Sequence, residues 1–173
     1  MNESTHPAPS PITLISGGQT GADRAALDVA ISLGLPHGGW CPKGRLAEDG
    51  PLPIRYQLRQ TPTKNYLDRT ERNVVGSGAT VIFCRGKLSR GSRRTLKLAA
   101  EHQRPVLEVI LPVKGEPDFE AIATRVRDFV REHQIRKLNV AGSRESTALG
   151  IHDEVSRILK LVFATDGEDS GKG

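Results

Sequence analysis

Residues 14–34 read LISGGQTGADRAALDVAISLG. An apolar run gives way to a glycine-rich turn, then to an aspartate, then to apolar residues at helical spacing. Ala26, Leu27, Ala30 and Ile31 stand three and four residues apart, so one helix face is apolar. A strand that passes through a tight turn into a helix is the repeating unit of an α/β sheet.

The same pattern recurs along the chain. Residues 12–16 (ITLIS), 79–84 (ATVIFC), 105–111 (PVLEVIL) and 137–142 (KLNVAG) are near-continuous apolar runs. Such runs are expected of strands covered by helices on both faces. Phe119, Ile122, Ala123, Val126, Phe129 and Val130 mark a second helix, and Ile151, Val155, Ile158, Leu159 and Val162 a third. Weaker helical patterns fit residues 66–75 and 92–103. The alternation predicts a Rossmann-like open, mainly parallel sheet with helices on both faces. Residues 35–64 break the pattern: rich in proline and glycine, they predict an irregular excursion with short strands near 39–41 and 56–60. A long loop inside a compact domain is usually functional.

Composition narrows the class. With 173 residues the expectation is one domain, spanning 12–163, flanked by polar tails at 1–11 and 164–173 that are expected to be disordered. No apolar run reaches eighteen residues, and the first eleven residues lack a basic and an apolar segment, so neither a membrane span nor a secretory signal is expected. Two cysteines, Cys41 and Cys84, imply no disulfide framework, and a reducing cytoplasmic setting is the default. The net charge of +5 permits anionic partners. Aromatic residues at 4% leave no stacking platform for nucleic acid.

Ligands of open α/β sheets bind at the carboxyl ends of the strands, so the loops there carry the chemistry. After the first strand comes GGQTGAD, with Gly17, Gly18, Gln19, Thr20, Gly21 and Asp23. It is neither the dinucleotide fingerprint nor a P-loop. It reads as a phosphate cradle or as a plain turn with Asp23 as the N-cap. After ATVIFC comes RGKLSRGSRRT, where Arg90, Arg93 and Arg94 surround Gly91 and Ser92, followed by Thr95. Cations at a helix start oppose its macrodipole unless an anion sits there. The last loop offers Gly142, Ser143, Arg144, Glu145 and Ser146, with Glu145 either a cap or an arginine partner. In the excursion, Trp40 beside Lys43 and Arg45 reads as a stacking platform with phosphate-holding cations, or as a core anchor. Glu71, between Leu67 and Val74, reads as half-buried against an arginine or as a helix-surface pair. His37 and Cys41 lack a second pair to complete a zinc site, and Cys84 ends a buried strand.

With these residues in view, the chain resembles the putative molybdenum carrier family over residues 12–163. The phrases that carry the resemblance are SGGQTGADRAALDVAISLGLPHGGWCPKGRLAEDGPLP, a tyrosine followed by RTERNV, GS..T, and LNVAGSRES. That family is similar to Rossmann-like, lysine decarboxylase-like proteins that bind nucleotide-derived ligands. The resemblance implies a pocket over the strand ends that holds molybdenum cofactor (molybdopterin), a phosphate-bearing pterin. Its own dithiolene sulfurs would hold the molybdenum, so no protein-ligated metal is expected. Carried over by position, the pocket uses Gly17, Gly18, Thr20, Gly21 and Asp23, then Gly91, Ser92 and Thr95, then Gly142, Ser143 and Ser146. Two departures stand out: Arg90 replaces a small residue, and Ser143 stands where proline is common.

The expected function is therefore a binding or carrier protein for a phosphorylated heterocycle, acting without nucleic acid or membrane, with self-association left open. The alternatives are a nucleotide hydrolase and a nucleotide-ligand sensor. Phosphoribohydrolases carry P-G-G-x-G-T-x-x-E; here the residues from Thr95 run Thr-Leu-Lys-Leu, so the glutamate is missing and only Asp23 or Glu71 could replace it.

Overall fold

A computed structural model describes residues 11–164; the tails expected to be disordered lie outside them, except at residues 11 and 164. The elements run β1 (Thr13–Ile15), α1 (Ala22–Leu33), β2 (His37–Gly38), β3 (Trp40–Cys41), β4 (Leu46–Ala47), β5 (Gly50–Pro51), β6 (Arg59–Gln60) and α2 (Tyr66–Val75). Then come β7 (Ala79–Arg85), α3 (Arg90–Glu101), β8 (Val106–Leu111), α4 (Phe119–Glu132), β9 (Lys137–Gly142) and α5 (Ile151–Phe163).

Five strands form one parallel sheet in the order β2-β1-β9-β7-β8. The chain therefore has the α/β, Rossmann-like arrangement predicted. Two residues of the excursion, His37 and Gly38, add an edge strand that local periodicity does not reveal. Elsewhere the excursion pairs β3 in parallel with β6 and folds β4 and β5 into a hairpin.

Apolar stripes seat the helices. Ala22, Ala26 and Val29 of α1, Val126 and Phe129 of α4, and Val155 and Ile158 of α5 share one core with Val81, Phe83, Leu138 and Val140 of the sheet. Val74 of α2 packs with Leu98 and Ala99 of α3 and with Val106 in a separate cluster. Three helices thus share one core with the sheet, and two share another. A third cluster, Leu27, Cys41, Leu52, Tyr56 and Leu58, pins the excursion to α1. Cys41 and Cys84 are free thiols, both buried. No described helix is long and apolar enough to cross a membrane.

The last strand decides which loops meet. β9 inserts between β1 and β7, so the loop after it lies between the loops after the first and second long strands. Sequence order separates these loops; strand order makes them neighbours at one sheet edge.

Candidate functional site

The loop after β1 is folded by Ser16, whose hydroxyl donates to the Asp23 carbonyl at 2.7 Å and accepts from the Gly18 N–H at 3.2 Å. Gly21, with φ +80°, caps α1. Its α-carbon is pressed against the last loop, and the Ala22 N–H donates to the Ser143 carbonyl at 3.1 Å. The N-cap role that the plain-turn reading would give Asp23 therefore falls to Gly21, which contributes no side-chain bond. Asp23 sits one residue inside the helix, where its charge suits the macrodipole. Its carboxylate accepts from Arg69 Nη1 at 3.3 Å. Burial pushes the Asp23 carboxyl up, and Arg69 with the Gln19 N–H pulls it back only in part.

Arg69 comes from α2 and lies directly over Gly17. A Cβ at Gly17 would fall 1.7 Å from Arg69 Nη1, so the glycine admits the guanidinium. The same helix face presents Tyr66, Thr70 and Asn73. Arg69 and Arg144 stand 5.4 and 5.6 Å from the Tyr66 ring centre. Asn73 is fully engaged: its amide brackets the N–H and carbonyl of Trp40 at 2.8 and 3.0 Å, fastening β3 to α2.

The third wall is the start of α3. Ser89 is its N-cap, accepting from the Ser92 N–H at 3.0 Å and donating to Ser92 Oγ at 2.9 Å. Cys84 Sγ donates to the same Ser92 oxygen at 3.1 Å. No acid stands in the first turn, while Arg90 and Arg94 face the opening with Gly91, Ser92 and Thr95. Residues 139–142 of β9 and Arg144 complete a cavity of about 520 Å³. Buried Asn139 is held by Thr80 Oγ1 at 3.1 Å. That volume suits a drug-sized ligand.

The cavity gathers Gly17, Gln19, Asp23, Gly91, Ser92, Thr95, Gly142 and Arg144 from the expected set. Gly18, Thr20, Gly21, Arg93, Ser143, Ser146, Trp40, Lys43 and Arg45 are not among its lining residues. Most of their side chains have another occupation visible in the structure. Thr20 and Ser146 donate their hydroxyls to Glu48. Arg93 donates to the Leu88 carbonyl. The Trp40 ring packs under Arg72 and Arg59 at 4.8 and 5.7 Å. Arg45, with φ +56°, directs its guanidinium to the carbonyls of Leu52, Pro53, Tyr56 and Leu58 and so knots the excursion together. Lys43 is exposed, its N–H on the Thr63 carbonyl. Glu71 is exposed and meets His102 Nε2 at 2.8 Å, so the surface pair is the arrangement found. Glu145 is a cap: its carboxylate accepts from the N–H groups of Gly150 and His152 at the start of α5.

Tyr66, Arg69, Thr70, Ser89 and Asn139 also line the cavity, although none stands among the site residues expected from the sequence. A signal for the first three existed: Tyr66, Arg69, Thr70 and Asn73 fall at i, i+3, i+4 and i+7, a polar stripe on one helix face.

A separate polar network joins the excursion to α1 and α5. Tyr56 donates to Asp28 Oδ1 at 2.6 Å, and His152 Nε2 meets Asp28 Oδ2 at 2.7 Å; Arg55 donates to the Tyr56 hydroxyl, and Asp153 flanks His152 Nδ1. The bond to Asp28 lifts His152 above its ordinary 6.5, against the opposing effect of partial burial. Burial works to raise Asp28, but His152 and Tyr56 outweigh it and hold the carboxyl below its ordinary 3.8. Stability from His152 is therefore full below pH 6.5 and is lost as pH rises through its lifted pKa. Stability from Asp28 is lost only as pH falls below 3.8. Thermal midpoints taken from about pH 6 to about pH 9 should decline for the wild type, and His152→Gln should flatten that decline.

Among the described residues, no group of three or more His, Cys, Asp or Glu is arranged to hold a metal ion. A family model described as the circularly permutated YpsA SLOG family matches residues 14–163. Among solved structures, one from Syntrophus aciditrophicus SB, named putative molybdenum carrier protein, is 42% identical with a TM-score of 0.85. The match covers 90% of this chain and 97% of that one. This relative agrees with the resemblance read from the loops. No curated protein matches.

Proposed function

The chain belongs to the circularly permutated YpsA SLOG family, and from that premise we propose that it is a binding protein for a small phosphorylated ligand with a flat ring. The observation that carries this reading is the start of α3. There Ser92, the end of the helix macrodipole, Arg90 and Arg94 face one cavity with no acid in the first turn. Cations there weaken the free helix and strengthen its hold on an anion. Tyr66, flanked by Arg69 and Arg144, offers a ring face to a heterocycle. Molybdenum cofactor is the named candidate, supported by the 42% identical relative's name. The donors fit its phosphate, and its dithiolene would keep the metal off the protein.

The test is titration of the full chain with molybdopterin and with nucleoside monophosphates, read by native mass spectrometry. Binding below millimolar is expected for at least one, weakened about tenfold or more by Arg94→Ala. No binding of any at millimolar concentration would sink the reading.

One observation favours a second reading, a hydrolase. Asp23 is the cavity's carboxylate, with its pKa pushed up, as a general acid requires. Glu71, the other candidate, stands on the surface with His102. Release of free base from a nucleoside monophosphate, abolished by Asp23→Asn, would establish the enzyme. Release unaffected by that change would remove Asp23 from the chemistry.

A further inference from the structure

Gln19 is 4% exposed and stands in the wall that the first loop presents to the cavity. Its Oε1 accepts from the Glu48 N–H at 2.8 Å and from the Thr20 N–H at 3.1 Å. Two backbone donors on one atom fix the orientation of the amide, because the flipped form would set its NH2 against both. Neither Glu48 nor Thr20 lines the cavity, so the oxygen is turned away from it and Nε2 is the end left to face it. Nε2 has no partner among the described residues.

Arg69 repeats the arrangement from α2. Its Nη1 is committed to Asp23, but its Nε is buried and has no partner among the described residues. Both side chains adjoin the same carboxyl, since the Gln19 N–H also bonds to Asp23. A buried donor without an acceptor costs free energy, and protein interiors leave few of them. Two such donors beside one carboxylate, in the lining of one cavity, mark a place where a ligand supplies the acceptor.

Lone pairs decide which group fits. A ring carbonyl oxygen accepts twice and satisfies both donors, whereas a ring nitrogen has one lone pair. The Asp23 carboxylate beside them accepts from an N–H. A carbonyl next to an N–H is a lactam edge. The reverse arrangement, an amino group next to a ring nitrogen, sets a donor against donors. We propose that Gln19, with Arg69 and Asp23, reads the edge of a six-membered lactam ring, so that the cavity selects 6-oxopurine or pterin-type rings over their amino counterparts. This rests on the reading above of a phosphorylated ligand with a flat ring: with the phosphate at the α3 start, the ring falls to the wall of the first loop and α2.

Matched rings isolate that edge. Inosine and adenosine monophosphates differ only there, as do pterin and 2,4-diaminopteridine. Each is titrated by calorimetry against the full chain and Gln19→Glu, with orthophosphate as a probe of the α3 start alone. The wild type should bind the oxo member of at least one pair about tenfold or more tightly than its amino partner. Gln19→Glu keeps an oxygen for the two backbone N–H groups and replaces the NH2 by an acceptor. It should shrink that ratio below about threefold, whereas a purely structural role would weaken both members alike. In the wild type the Gln19 side-chain amide protons should shift downfield with the oxo member and not with the amino one. That resonance decides even where Gln19→Glu does not fold.

Equal affinities within both pairs, or tighter binding of the amino members, overturn the proposal. So does an undiminished ratio in folded Gln19→Glu, and so do amide protons that stay in place. If none of the four rings binds at millimolar concentration while orthophosphate does, the lactam inference falls and the anion site at α3 stands. If orthophosphate fails as well, the phosphate-ligand reading goes with it.

Discussion

Gly21→Ala is expected to lower the unfolding free energy by about 3 kcal/mol. Two costs add. The residue sits at φ +80° and ψ −129°, a conformation closed to residues with a Cβ. The added carbon would also fall 2.2 Å from the Ser143 carbonyl oxygen and 2.8 Å from the Glu145 nitrogen. Both are backbone atoms, so no side-chain rotation relieves the clash, and α1 must lift off the last loop. Gly34→Ala is the matched control. It too has a positive φ, +67°, but nothing lies within 4 Å of its would-be Cβ. Its cost should be nearer to about 1 kcal/mol, the strain of the left-handed cap alone. Urea midpoints of the two variants measure the difference. Equal losses would mean that the contact between the loops contributes little.

Arg69→Met is expected to cost about 3 kcal/mol near neutral pH, because it strips a buried carboxylate of its cation. Arg69 and Asp23 side chains are only 11% and 10% exposed, so water cannot replace the guanidinium. The pH dependence has a definite sign. Asp23 already titrates above its ordinary 3.8 through burial, and without Arg69 it should rise further. A raised carboxyl favours the protonated fold, so its contribution to stability is greatest below 3.8 and is lost as pH rises through the folded pKa. The Arg69→Met deficit should therefore shrink on acidification, and adding Asp23→Asn should recover part of it at neutral pH. Denaturant melts at two pH values on the single and double variants test this. A deficit that ignores both pH and the Asp23 change would reassign the role of Arg69 to packing over Gly17.

Both predictions turn on contacts between segments far apart in the chain, and the same distinction divides what could be read from the residues. The residues by themselves determined the long strands and the helices, though not the edge strand at His37–Gly38. β9 and α2 occupy the spans that the apolar pattern assigns them, residues 137–142 and 66–75, and α3 begins two residues ahead of its pattern, at Arg90. Periodicity is a local property, since a helix or strand declares its buried face within a few residues. Loop composition likewise marked the edge of the sheet where the cavity lies, because glycines and hydroxyls gather where backbones approach closely.

Only the tertiary structure decided which of those groups remain open to a ligand. Thr20 and Ser146 meet Glu48 across 28 and 98 residues, and Asp23 meets Arg69 across 46. A hydroxyl or a cation looks the same in sequence whether it is free or already bonded. Its availability is settled by whichever group the irregular path of residues 35–64 and the insertion of β9 bring within hydrogen-bond reach, and neither leaves a periodic trace in the chain.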